Sequence, residues 1–344
     1  MNALRERTLL RHLALAVLGG LVLLGVTHQL SPFRDVQLAT IAFTAVAAAG
    51  LTVLTGSSGQ ISLGQGAFMA VGAYTTALLI NDRQWPLAAV LVASVVVTAG
   101  VGAVVGLAAA RLRGPYLAGA TLALAVGLPG LADYKHLRST LGAANGLSVN
   151  VPPPPARLGE TFPLERWQAW VCCLCLLVTL VLLANLGRSR YGRSFRALRD
   201  DEVAAALSGI DVARMQVLAF VVSSGCAGLA GGLLAFVNTL AAPGAFPLSL
   251  SLSLLTAIVL GGLGSLAGAV YGSVLLVLLP TWSSSLAGRL DLSRDVYANL
   301  PLAVYGVVLI VVMLAFPSGL QGGLLRAWRA LRGGAPSSDT ARPA

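Results

Sequence analysis

A series of apolar runs, most of them long enough to cross a bilayer and interrupted by a single long charged stretch, restricts this chain more than any other feature. The runs occupy roughly 9–29, 38–55, 64–80, 86–110, 115–132, 167–186, 215–238, 250–262, 264–281 and 298–316. A helix needs about 20 apolar residues to traverse the hydrocarbon core, so the third and eighth runs are short and read as broken or re-entrant. With 56% hydrophobic and 10% charged residues among 344, the chain has too little polar surface to cover a soluble globule of its size. The expected fold is all-α: a polytopic helical membrane protein of about eight to ten transmembrane segments, with broken Gly-rich helices.

The charged stretch is Gly187–Arg214, with Arg188, Arg190, Arg193, Arg196, Arg199 and Arg214 set against Asp200, Asp201, Glu202 and Asp211. Such density of charge belongs in water. A helix over Ser194–Leu207 gathers Phe195, Leu198, Val203, Ala206 and Leu207 toward one side and leaves Arg196, Arg199, Asp200 and Glu202 for water or a partner. Gly209 is expected to end that helix in the left-handed conformation. Two readings stand: a solvated linker held by its arginines, or a docking element.

Arginine placement gives a topology. If the N-terminus is inside, alternation of the runs also puts Arg111, Arg113, the stretch 187–214 and the tail arginines Arg326, Arg329, Arg332 and Arg342 inside. Fewer basic residues fall outside (Arg34, Arg83, Lys135, Arg138, Arg157, Arg166, Arg289, Arg294), which supports two cytoplasmic termini. The outside segment 133–166, with Pro152–Pro155 and a Gly-Ala-Ala-Asn-Gly turn, reads as a stiff extracytoplasmic loop. Met1–Leu30 has a basic start and an apolar run from Leu13 to Val26 but no A-x-A-like exit, so it reads as an anchor helix rather than a cleaved signal. The membrane domain is thus expected over 1–325, and 326–344 reads as a disordered cytoplasmic tail.

Two Gly-rich interruptions, Thr55–Gly66 and Leu260–Gly268, join the second run to the third and the eighth to the ninth. Glycine permits unwinding, and Ser57, Ser58, Gln60, Ser62, Gln65 and Ser265 offer hydrogen bonds to the freed backbone. Irregular backbone at membrane depth is tolerated where it is buried in protein or lines a cavity. Gly56, Gly59, Gln60, Ser62, Gly64, Gly261, Gly264, Ser265 and Gly268 are therefore candidates for the translocation path, with close packing of small residues as the competing account. For Gly225, Gly228, Gly231 and Gly232 packing is the preferred reading.

Several chemistries lack their residues. The interiors of the runs carry no Asp, Glu, Lys or Arg, which a proton-coupled carrier normally needs. No histidine or acid accompanies the membrane serines to form a hydrolytic site, and no G-x-x-x-x-G-K-[ST] loop exists for ATP. The cysteines (Cys172, Cys173, Cys175, Cys226) sit in apolar runs and the three histidines are far apart, so no metal site is expected. No basic patch interleaved with aromatics points to nucleic acid. Any energy must come from a partner.

The run Arg190–Gly209 resembles the coupling loop of ABC importer permeases of the branched-chain amino acid (LivM) type, with Glu202, Ala204, Ala205 and Gly209 in the positions of its Glu-x-Ala-Ala…Gly core. Gly59-Gln-Ile-Ser-Leu-Gly64 with Ala67-Phe68 and Gly72-Ala-Tyr74, Arg111–Ala118, Ala144-Asn-Gly-Leu147, Gly261-Gly-Leu-Gly264 with Gly268, Tyr305–Ile310 and Phe316–Leu320 are similar to further family motifs, in order over roughly 38–325. One departure is Thr121–Leu128, where relatives often carry a glutamate and this chain has no acid. The resemblance implies an inner-membrane permease subunit for branched-chain or other hydrophobic amino acids, with urea or short amides as the alternative. A stand-alone channel or secondary transporter is the alternative of another class. It further implies no cofactor of its own, ATP being bound by two ABC ATPase subunits, plus a second homologous permease and a periplasmic or lipid-anchored binding protein. Arg193, Phe195, Arg196, Leu198, Asp201, Glu202, Ala205 and Gly209 would form the ATPase contact, Phe195 and Leu198 as its apolar anchors.

Overall fold

The computed structural model describes residues 31–289, except 84, 112–114, 132–133, 135–137 and 160–161, together with separate positions between 304 and 323. The expected anchor helix within 1–30, most of the run 298–316 and the tail from 326 lie outside the described residues. The main helices are α1 (Pro32–Leu51), α2 (Gln65–Arg83), α3 (Leu87–Ala109), α4 (Pro115–Leu131), α5 (Leu164–Arg188), α6 (Arg190–Asp200), α7 (Glu202–Leu207), α8 (Val212–Asn238), α9 (Leu248–Gly261) and α10 (Leu266–Arg289). Six helical segments among the described residues are long and apolar enough to cross a membrane. The chain is an all-α multi-pass membrane protein.

Its centre is α1 with α8. Their apolar windows are 78% and 67% buried, against 28% for α3 and 33% for α5, so the latter two form the rim. α8 packs on α3, α2 and α1, α5 covers another side of α1, and the α9–α10 pair also lies against α1. Such proximity depends on small residues, because lipid supplies no hydrophobic drive and contact must come from close backbone approach. Ala39, Ala42, Ala45, Ala47, Ala48 and Ala49 make α1 thin, and all are buried. A Cβ on Gly72 would lie 2.5 Å from Gly228 Cα, and one on Gly231 would lie 2.8 Å from Met69 Cα, so α8 meets α2 main chain to main chain. Packing is thus the role of Gly228 and Gly231, while Gly225 makes only ordinary contact with Val95.

At the end of the bundle where α1 and α5 begin, a two-residue antiparallel ladder pairs Leu147 with Ala241 and Ser148 with Leu240. Asn81, on the last turn of α2, donates from Nδ2 to Ser148 O (2.6 Å) and accepts at Oδ1 from Asn150 N (3.1 Å), which pins the 133–166 segment to the helices. At the same end Asp35 in the first turn of α1 is 1% exposed and faces Arg166 Nε of α5 at 3.5 Å. This acid precedes the apolar run 38–55 yet is buried, because α5 closes over it. Arg166→Ala leaves a buried carboxylate without its counter-charge and should cost about 3–5 kcal/mol, measured as detergent-solubilised unfolding, whereas Arg166→Lys should cost far less.

Candidate functional site

α1 does not stop at Leu51 but runs on as a π-helical turn, Thr52–Ser57, with Ser58 N donating to Val53 O at 3.1 Å. Such turns are rare and concentrate at functional sites. The chain then crosses Ser58–Gly64 as irregular backbone before α2 begins. Side chains take up the freed groups: Ser58 Oγ donates to Leu54 O (2.7 Å), Gln60 Nε2 to Ser58 Oγ (3.0 Å), and Gly64 N to Ser62 Oγ (3.3 Å). Two acceptors come from far along the chain, Thr121 Oγ1 for Leu63 N (3.0 Å) and Ser251 Oγ for Gly66 N (2.9 Å). Gln65, wholly buried, donates to Ala47 O (3.0 Å) and accepts from Ser223 Oγ (3.3 Å), tying the start of α2 to α1 and α8.

The second break lies between α9 and α10. Gly262 and Gly264 both take positive φ (+118° and +82°), which L side chains rarely adopt. Ser265 then opens α10, its Oγ accepting from Gly268 N (3.0 Å) and its carbonyl from Ala269 N (3.0 Å). Gly319, from the Phe316–Leu320 motif, sits on this turn, where a Cβ would come 2.6 Å from Gly262 N.

The two breaks meet. A Cβ on Gly56 would lie 2.7 Å from Gly264 Cα and against its nitrogen. The expected path residues Gly56 and Gly264 are therefore in contact, 208 positions apart in sequence, at the end of the bundle that carries α6 and α7.

α6 is capped by Ser189, whose Oγ accepts from Tyr191 N (3.2 Å) and Gly192 N (3.4 Å). Phe195 and Leu198 are 1% and 6% exposed and face the bundle, while Arg193 and Arg196 are exposed. This corrects their expected role as anchors for a partner's cleft: the apolar side of α6 is spent on this chain's own core. The single helix expected over 194–207 is likewise two helices. Asp201 leaves helical geometry (φ −159°, ψ 113°) and its Oδ1 accepts from Val203 N (2.8 Å) and Ala204 N (2.9 Å), capping α7. An aspartate side chain that satisfies those two amides offers the backbone an alternative to continuing the helix. On α7 Ala205 turns inward at 3% exposed, Glu202 is exposed, and Val203 and Leu207 stand out at 69% and 85%.

Gly209 ends α7 as anticipated, with φ +83°, Gly209 N donating to Ala206 O (3.0 Å) and Ile210 N to Ala205 O (3.1 Å). That bond pair is a Schellman motif. Arg199 departs from expectation. Its Nη1 donates to Gly56 O (3.0 Å), and its Nε and Nη2 both bond Asp200 Oδ1 (3.1 and 3.0 Å). A cavity of about 310 Å³ with mixed polar and apolar walls lies in the same seam, bordered by Thr52, Ser57, Arg188, Arg196, Gly264 and Ser265. No group of three or more His, Cys, Asp or Glu that could hold a metal occurs among the described residues.

The seam thus joins two broken membrane helices beneath the α6–α7 segment, and comparison with known proteins gives the chain's family. The family model for the permease component of branched-chain amino acid transport systems matches residues 35–316. The chain belongs to this permease family. The high-affinity branched-chain amino acid transport system permease protein LivM of Salmonella typhimurium is 32% identical over 253 residues, 66% of this chain and 58% of the relative. LivM of Escherichia coli is 33% identical over 252 residues with the same coverage. LivH of E. coli is 27% identical over 266 residues, 70% of this chain and 82% of that protein. The match to the two LivM proteins thus spans 58% of their length. No solved structure matches. Four of the segments that carry the resemblance meet in space: Gly59–Gly64, Gly261–Gly268, Gly319 and α6 surround one junction, whereas Leu147 pairs with Ala241 at the opposite end of the bundle.

Proposed function

We propose that this permease is the membrane subunit of an ATP-driven importer of branched-chain or similar hydrophobic amino acids. It works with a homologous second permease, two ABC ATPases and an extracytoplasmic binding protein. The observation that carries this reading is α6 seated on the two helix breaks, with α7 beside it presenting Val203 and Leu207 outward. The family match and the relatives named above support the substrate class. In this arrangement α6 and α7 face the cytoplasm of a bacterial inner membrane, both termini lie on that side, and segment 133–166 faces the binding protein. Gly56, Gly59, Gln60, Ser62, Gly64, Gly261, Gly264, Ser265 and Gly268 shape the inner part of the solute route, which opens as the two breaks separate. Backbone and hydroxyl groups there would pass a small zwitterion without holding it, leaving selection to the binding protein.

The test is reconstitution of the permease in proteoliposomes with a second permease, ATPases and a binding protein from the same organism. ATP-dependent accumulation of radiolabelled leucine, isoleucine or valine is the expected result. Accumulation of urea or acetamide in place of leucine would move the substrate to short amides. Equal leucine flux through the permease alone, without ATPases or ATP, would overturn the importer reading in favour of a channel or carrier.

A further inference from the structure

We propose that Arg199 is the positioning residue through which movement of the α6–α7 pair reaches the broken membrane helices, with Asp200 holding its guanidinium in the transmitting pose. The inference rests on the importer reading and adds a specific link to it. Arg199 is the last but one residue of α6 and lies two positions before Asp201, which caps α7, so any displacement of α7 acts first on this turn. Its other contacts converge on the seam. The stem packs on the first break, where a Cβ at Gly59 (φ +77°) would be 3.1 Å from Arg199 Cγ and 3.3 Å from its Cα. Nη1 reaches the second break as well, 3.7 Å from the Cβ position of Gly264.

The chemistry of the acceptor favours this partner. Gly56 O belongs to the last turn of the π segment, where carbonyls have no intrahelical donor and the helix dipole is negative, so a cation is the best group to cover it. Asp200 Oδ1 takes Nε and Nη2 and leaves Nη1 aimed at the carbonyl, which fixes the planar fork as an ammonium could not be fixed. Among the described residues the remaining side-chain hydrogen bonds of α6 stay local: Arg193 and Arg196 donate to Arg188 O (3.4 Å) and Gly187 O (2.9 Å), and Ser194 to Arg190 O (3.1 Å). They return to α6 itself or to the end of α5. Arg199 bridges α6 to α1 and touches both breaks where those breaks touch each other, and in a π turn the ladder of hydrogen bonds is already loosened. Moving this one guanidinium therefore shifts the last turn of α1 against Gly264.

The experiment compares the complete complex carrying Arg199→Met or Arg199→Lys with the unsubstituted one in proteoliposomes, measuring co-purified ATPases, ATP hydrolysis and leucine uptake in the same preparation. Arg199→Met should retain its ATPases and hydrolyse ATP while leucine transported per ATP falls about tenfold or more, the size expected from loss of a charge-assisted hydrogen bond. Arg199→Lys, which can reach the carbonyl but not keep the fork on Asp200, should fall between, at about threefold. A structural role alone would lower recovery and both rates together and leave their ratio unchanged. An unchanged ratio in Arg199→Met overturns the proposal, and if that variant does not assemble, an unchanged ratio in Arg199→Lys overturns it. If the unsubstituted complex itself shows no ATP-dependent uptake, the importer reading falls and the role of Arg199 with it; loss of coupling confined to the variants separates the two cases.

Discussion

On the importer reading proposed above, replacing Val203 and Leu207 together by aspartate should release the partner ATPases while leaving the chain itself as stable as before. Both side chains are largely exposed, at 69% and 85%, and lie on α7, whose buried Ala205 holds the helix to the bundle from the other side. Exposed substitutions usually change stability by within about 0.5 kcal/mol, so the thermal midpoint of the isolated chain should not move. At an interface the same two positions are the apolar anchors available, and charges there must be desolvated. Affinity for the ATPases should fall about thirtyfold or more, the scale of a lost hot spot. Single changes at Arg193, Arg196 or Glu202 belong to the rim and should alter co-purification little. The converse change makes the comparison decisive: Phe195→Ala removes a fully buried ring and should cost the isolated chain about 3–5 kcal/mol. If the double aspartate variant keeps its ATPases at wild-type stoichiometry, α7 is not the docking element.

That contrast between Phe195 and Val203 marks where the sequence stopped being readable. Amphipathic spacing identified an apolar side on a charged segment, but on one straight helix it placed Phe195, Leu198, Val203 and Leu207 together. Asp201 divides the segment and rotates α7 relative to α6, so the first two residues serve the core and the last two face outward. The cap was encoded locally, since aspartate followed by a helix-forming stretch is an N-terminal signal, yet an acidic triplet, Asp200-Asp-Glu202, hid it in plain charge. Gly209 was legible because a helix stop depends on one residue's own backbone freedom. The positions of both breaks were legible for the same reason: runs of glycine with serine and glutamine cannot hold a regular helix without help. Their contact was not, because nothing in Thr55–Gly66 states that its partner is Leu260–Gly268, and the acceptors Thr121 and Ser251 sit in runs that read only as apolar. Asp35 was missed through the same gap, since burial at a helix end is decided by the neighbouring α5.

The contact between the breaks yields the other large effect, and it falls on a single methyl group. Gly56→Ala places its Cβ 2.7 Å from Gly264 Cα and against Gly264 N, and main chain cannot rotate aside as a side chain can. The two breaks must part, at a cost of about 1–3 kcal/mol for overpacking, and the carbonyl that accepts from Arg199 moves with them. ATP-driven uptake should be lost or reduced at least about tenfold, with the complex still assembled because α6 remains folded on α5 and α7 on α6 and α8. Gly264→Ala meets a milder environment: its Cβ would stand 3.3 Å from Gly56 O, and the chief penalty is the positive φ, about 1–2 kcal/mol for an L residue. Its uptake should lie between Gly56→Ala and the unsubstituted protein. Gly225→Ala is the control, since its Cβ would make ordinary contact at 3.5 Å with Val95 and alanine is the better helix former; its uptake should match the unsubstituted protein. Transport assays on the three variants at matched expression check the order. Full uptake by Gly56→Ala would mean that the breaks do not meet at this point in the working transporter, and that the route opens elsewhere.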